Sequence, residues 1–127
     1  MSFEAQLLNK HILIVDDDTA LSESIKEVLV SRGFKNISRA YSISEGIDVF
    51  SVSHIDLIIL DVMLPDGEGY LLSQYVRKIS DIPILFLTAK NNPDDEIRGL
   101  DSGGDDYVTK PFLPKSLTYR IIALLRR

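Results

Sequence analysis

The sequence predicts an α/β protein built on a parallel sheet, and three observations predict it. Short branched-apolar runs at His11–Val15, Ile55–Leu60 and Pro83–Leu87 read as strands buried on both faces. Apolar residues recur at helical spacing between these runs. The two patterns alternate five times along the chain, at intervals of roughly 20 to 25 residues, about what a strand, a crossover helix and their turns require.

His11–Val15 is the first strand, and three acids follow it, Asp16, Asp17 and Asp18. Leu21, Ile25, Val28 and Leu29 then mark a helix, with Asp18 or Thr19 as its cap and Gly33 at its C-terminal end. Ile37 to Ala40 is a weaker second strand. Ser42 and Glu45 form a capping-box pattern ahead of Ile43, Ile47 and Phe50, so a second helix is expected. The third strand runs into Asp61, and a Pro65–Gly67 turn follows. Its helix carries Leu71, Leu72, Tyr75, Val76 and Ile79.

Pro83–Leu87 leads to Thr88, Ala89 and Lys90. Asn92 and Pro93 then open a helix with Ile97 and Leu100, closed by Gly103 and Gly104. Tyr107–Thr109 is the fifth strand, broken by Lys110–Pro111. A last helix carries Leu117, Ile121, Leu124 and Leu125, with Arg126 and Arg127 in its last turn, where cations suit the helix dipole. Right-handed crossovers leave few topologies. The flavodoxin-like, doubly wound order 2-1-3-4-5 with five helices fits, and its crevice lies at the C-terminal ends of strands one and three.

Composition narrows the chemistry. A chain of 127 residues, 45% hydrophobic and 26% charged, is one globular domain without repeats or linkers. It has no cysteine and two histidines, His11 and His54, so thiolate, disulfide, zinc and histidine-base chemistry are disfavoured. Both histidines read as ordinary loop or strand-edge residues. A net charge of −5 argues against nucleic-acid binding by this chain itself. No apolar run approaches the roughly 20 residues of a membrane helix, and Met1–Lys10 does not read as a signal peptide. A cytoplasmic location is expected.

In that topology Asp16, Asp17, Asp61, Thr88 and Lys110 all end strands at one crevice. Only the second strand, at the sheet edge, contributes nothing. Close carboxylates repel, and a divalent cation offsets the repulsion. Hard oxygen ligands select magnesium, manganese or calcium. Lys110 can neutralise an anionic group, and the Thr88 hydroxyl can donate to it. A carboxylate nucleophile needs no general base, so the set suggests phosphoryl transfer to Asp61.

These residues lie in four motifs, Ile12–Asp18, Asp61–Gly67, Leu87–Ala89 and Gly104–Phe112. With them the chain resembles the receiver domains of two-component response regulators from Lys10 to Arg127. Residues 1–9 stand as an N-terminal extension and 10–127 as the receiver. The resemblance implies that Asp61 is the phosphoacceptor, taking its phosphoryl group from a sensor histidine kinase, with slow self-hydrolysis and no dedicated substrate turnover. It implies magnesium, with manganese as a substitute, held directly by Asp17, Asp61 and the Met63 carbonyl and by Asp16 through a water. Thr88, the Ala89 N–H and Lys110 would contact the phosphoryl group, the Lys110–Pro111 bond would be cis, and Tyr107 would be the switch aromatic.

Leu100–Tyr107 and Tyr119–Arg127 look like the OmpR/PhoB winged-helix transcription factor type. That likeness implies transcription regulation through a following DNA-binding domain. It also implies a homodimer through the fourth helix, fifth strand and fifth helix, with Arg98, Asp105, Asp106, Arg120 and Arg127 as candidate partners. Gly104 departs from the pattern, standing where alanine is usual.

Blander readings remain for some residues. Asp18 is better explained as a helix cap, Tyr107 also fits an ordinary strand aromatic, and the dimer-face charges also fit a solvated surface. A stand-alone receiver or phosphorelay protein is one alternative. Another is a phosphatase of the haloacid-dehalogenase type, on the D-x-D spacing of Asp16 and Asp18, although Ala20 breaks that pattern and Asp105 and Asp106 lie at the wrong end of their strand. A flavin or nucleotide carrier would need a phosphate loop where three acids stand.

Overall fold

The computed structural model describes residues 3–89, 97 and 103–127. In chain order its elements are α1 (Phe3–Leu8), β1 (His11–Val15), α2 (Thr19–Ser31), β2 (Asn36–Ala40), α3 (Ile43–Val52), β3 (Leu57–Asp61), β4 (Met63–Leu64), β5 (Gly67–Glu68), α4 (Tyr70–Arg77), β6 (Ile84–Thr88), β7 (Asp106–Thr109) and α5 (Pro114–Leu125). The main sheet is parallel throughout, in the order β2-β1-β3-β6-β7. The short β4 and β5 form a separate antiparallel ribbon. With that ribbon set aside, the winding is the expected 2-1-3-4-5.

Alternation along the strands feeds two apolar layers. Ile12, Ile14, Leu57, Ile59, Leu85 and Leu87 pack with residues of α2 and α5, including Ile25 and Ile121. Leu13, Val15, Ile58, Leu60, Ile84 and Phe86 pack with Ile43 of α3 and Leu72 and Val76 of α4. β3 lies at the centre and is buried along its whole length. Each of its aliphatic side chains contributes about 1.5–3 kcal/mol by leaving water. The strand can present a carboxylate only at its end, where the layers part.

The helix ends follow the sequence signals, with one long-range addition. The Asp18 carboxylate accepts from Leu21 N–H at 3.0 Å and caps α2. Gly33, past the end of α2, has φ 101°, a left-handed conformation suited to glycine. The Ser42 hydroxyl accepts from Glu45 N–H at 3.1 Å. The Ile43 and Ser44 N–H groups donate instead to Asp66, at 2.9 and 3.0 Å. A residue of the Asp61 loop thus completes the cap of α3.

Two expected core residues of α4 face outward. Leu71 is 55% exposed, and Ile79, beyond the end of the helix, is 67% exposed. The buried stripe runs through Leu72, Ser73 and Val76, and Leu71 sits one residue off it, about 100° round the helix. Asn92, Pro93 and Leu100 lie outside the described residues. Ile97 is helical.

The N-terminal residues form a helix that the sequence reading did not anticipate. Leu7 of α1 is buried, and Leu8 lies against Gly33, where an added Cβ would stand 3.0 Å from Leu8 Cδ1. Lys35 N–H donates to the Leu8 carbonyl at 3.3 Å, and the Asn36 side-chain amide to the Asn9 carbonyl at 2.8 Å. Six residues are too few to hold a helix in water alone, so docking makes this one. Among the described residues, no helix is long and apolar enough to cross a membrane.

Candidate functional site

The parallel sheet brings the ends of β1, β3, β6 and β7 to one rim. Asp16 follows β1 and Asp61 ends β3. β6 ends in Thr88, which pairs in register with Thr109 of β7, and Lys110 comes next. The Lys110 N–H donates to the Thr88 carbonyl at 2.6 Å, which ties the last two strand ends together.

Asp16 is 0% exposed, Asp61 6% and Thr88 4%. Lys110 Nζ reaches both buried acids, at 3.1 Å from Asp61 Oδ2 and 3.3 Å from Asp16 Oδ2. The remaining carboxylate oxygens take backbone donors. Asp18 N–H donates to Asp16 Oδ1 at 2.9 Å, and Met63 N–H to Asp61 Oδ1 at 3.2 Å. Asp17 is exposed, but one of its oxygens belongs to a cluster with Asp16 and Asp61 whose ligand atoms all lie within 4.8 Å of one another.

One lysine does not balance this group. Burial pushes the Asp16 carboxyl up to about 6 from an ordinary 3.8, and the Asp61 charge pushes the same way. The Asp18 N–H and Lys110 pull against them. At Lys110 burial favours the neutral amine, yet the charges of Asp61 and Asp16 outweigh it and raise the pKa. Excess negative charge at all-oxygen ligands suits a hard divalent cation such as magnesium or manganese, not zinc or copper.

Gly69 is a site residue that sequence reasoning missed. Its N–H donates to the Val62 carbonyl at 2.7 Å, and a Cβ there would meet the Asp61 carbonyl oxygen at 2.2 Å. Only glycine lets the chain after Asp61 fold back on the strand end. The signal was the Gly67-Glu68-Gly69 spacing, since a second glycine after a turn marks close backbone approach.

Of the other expected residues, Ala89 follows Thr88 at the rim and is exposed, as is Met63. Tyr107 is half-buried, with its ring centroid 6.4 Å from that of Phe86. Its hydroxyl is buried without a partner among the described residues. Asp18 is engaged as the α2 cap, and Asp105 and Asp106 sit at the opposite end of the sheet, where Asp105 N–H bonds the Ile84 carbonyl at 2.8 Å. Neither arrangement favours the phosphatase alternative.

The candidate dimer-face charges pair within the chain. Asp106 accepts from Arg120 at 3.0 and 3.1 Å. Asp105 pairs with Arg127 and with Arg77, the latter at 2.7 Å. Arg77, a further participant, also donates to the Gly103 carbonyl at 2.9 Å. Arg98 lies outside the described residues.

Comparison with known proteins follows the same lines. Residues 12–122 match the family model described as "Response regulator receiver domain". The transcriptional regulatory protein YvrH of Bacillus subtilis is 45% identical over 119 residues, which are 94% of this chain and 50% of that protein. The phosphate regulon transcriptional regulatory protein PhoB of Escherichia coli is 39% identical, over 93% of this chain and 52% of that protein. The chain thus spans about half the length of these curated relatives. A two-component response regulator from Clostridium difficile superposes with a TM-score of 0.89 at 34% identity, covering 94% of this chain and 98% of that one.

Proposed function

Since the chain belongs to the response regulator receiver domain family, we propose that Asp61 takes a phosphoryl group from a phosphohistidine of a sensor histidine kinase. The observation that carries this reading is the Lys110 ammonium held between Asp61 and Asp16, 3.1 and 3.3 Å from their oxygens. An Asp61 oxygen attacks phosphorus, the phosphorus–nitrogen bond of the donor breaks, and its electron pair returns to the imidazole. A carboxylate attacks through an oxygen lone pair, so no base is needed.

Asp16, Asp17, Asp61 and the Met63 carbonyl are the residues that would hold magnesium, with manganese as substitute. The metal supplies charge neutralisation at the phosphoryl oxygens. Lys110, released from Asp16, follows the new charge on Asp61. The Thr88 hydroxyl and the Ala89 N–H contact the phosphoryl oxygens. Tyr107, whose hydroxyl has no partner in its buried position among the described residues, moves with Thr88. A buried unpaired hydroxyl costs about 1–3 kcal/mol, which keeps a second ring position within reach.

Relatives twice as long and named transcriptional regulators support a further step, in which phosphorylation controls a DNA-binding domain. In that step residues 10–127 act as the receiver unit of a cytoplasmic regulator. Residues of β7 and α5 form a dimer face there, and Asp105, Asp106, Arg120 and Arg127 exchange internal partners for those of a second copy.

Intact mass after incubation with a small phosphodonor and magnesium tests the central claim. One phosphoryl adduct is expected, absent from Asp61→Asn. An adduct that persists in that variant overturns the assignment.

A further inference from the structure

A second polar hollow lies at the opposite edge of the sheet, where the strands begin. It has a volume of about 550 Å³ and opens between α1, the residues leading into β1 and β3, and the last turn of α5. A recess of about 140 Å³ continues it past Pro83. Lys10, His54, Arg126 and Arg127 line the hollow, and Asp56 is its only carboxylate side chain.

Three cations there, Lys10, Arg126 and Arg127, face one carboxylate side chain. Asp56 is already engaged, accepting from His11 N–H at 2.8 Å and pairing with His54 Nε2 at 3.1 Å. Arg127 is shared with Asp105. Lys10 and Arg126 have no ion-pair partner among the described residues, and Lys10 is half-buried. These cations converge in a chain whose net charge is −5. The helix dipole accounts for arginines after α5. It does not account for Lys10, which lies on no helix, nor for a hollow of ligand size.

α1 forms one wall through Gln6 and Leu7, and the family match begins only at residue 12. The hollow therefore combines the matched domain with residues that precede that match.

We propose that this hollow binds a small, multiply charged phosphate anion, with Lys10 and Arg126 as its principal contacts. A planar guanidinium and a mobile ammonium suit phosphate oxygens, and the Gln6 amide adds a neutral donor at the wall. Two or more negative charges are needed to use the cations present. The proposal does not depend on the role given to Asp61.

Titration of the isotope-labelled chain with inorganic pyrophosphate in magnesium-free buffer, followed by amide NMR, tests it. Saturable shifts at Lys10, His54 and Arg126 are expected, with a dissociation constant of about 1 mM or tighter. Added salt should weaken the binding. The Lys10→Ala/Arg126→Ala variant should bind about tenfold or more weakly, with its urea midpoint as the check on folding. Arg126→Gln, which keeps much of the side-chain stem, serves if the double variant unfolds. Shifts that never saturate, unchanged affinity in the variants, shifts centred on the Asp61 rim, or equally tight binding of citrate would each overturn the proposal.

Discussion

The two rims of the sheet both gather charged side chains, and they hold them differently. Every helix that follows a strand starts near the rim where that strand ends and finishes near the other. Positive helix ends therefore gather beside Asp16, Asp17 and Asp61, and the negative end of α5 lies beside Arg126 and Arg127. The contrast lies in hydration. Asp16 and Asp61 are buried and share one lysine, whereas Arg126 and Arg127 are exposed. Equal charges are worth several-fold more out of water than in it, so the upper rim stores electrostatic tension and the lower rim stores little.

The largest test of this contrast removes a cation from each rim. Lys110→Met leaves two buried carboxylates uncompensated, and its unfolding free energy in urea at neutral pH should fall by about 3–5 kcal/mol. Magnesium should recover part of that loss. Lys10→Ala at the other rim should change stability by no more than about 0.5 kcal/mol. Equal effects at the two rims would end the distinction.

Gly69→Ala comes next. Its Cβ would meet the Asp61 carbonyl oxygen at 2.2 Å, and something must move. A loss of about 1–3 kcal/mol is expected, together with slower phosphorylation of Asp61. A variant with wild-type stability and rate would show that the loop yields freely.

A third test follows the proton on Asp16. A folded-state pKa of about 6 against an ordinary 3.8 means that the folded chain holds the proton more tightly than the unfolded one. This group's contribution to stability is full below pH 3.8 and is lost as pH rises through about 6. Stability measured without metal across that window should fall with pH by about 2 kcal/mol more in the wild type than in Asp16→Asn. Parallel profiles would refute the buried-charge account. Magnesium affinity should rise over the same window, because binding displaces that proton.

The smallest effect concerns Asp66, an exposed acid of the Asp61 loop. Bonds from Ile43 and Ser44 N–H hold its carboxyl below the usual range, so its contribution is present above the unfolded pKa and lost as pH falls through the folded one. Asp66→Ala should lower the urea midpoint slightly at neutral pH and not at all in strong acid. A drop of equal size at both pH values would place the effect outside the carboxylate.

Much of this was legible in the sequence because it is local or periodic. The apolar runs ending at Val15, Leu60 and Leu87 had no alternative to burial, and alternation with helices left a parallel winding. Asp16, Asp61 and Lys110 were legible as neighbours because that winding puts strand ends side by side. Other features were illegible because their cause lies elsewhere in the chain. Six residues of α1 have no helical stability of their own, and Gly33, the edge of β2 and the apolar layer against which Leu8 packs hold them. Leu71 and Ile79 fit an apolar pattern loosely, but the core had room for the stripe through Leu72 and Val76. The Asp66 cap reaches across 23 residues to α3, a distance no local signal spans.

The sequence by itself determined the strands, their winding and the identity of the groups at the rim, since period and punctuation are properties of the chain. Tertiary structure alone decided that Asp16 lies completely buried, that one ammonium serves two carboxylates, and that Gly69 presses on the Asp61 backbone. Those depend on the packing of layers around β3, and the burial of Asp16 and Asp61 is what makes their neighbourhood with Asp17 a site suited to a metal.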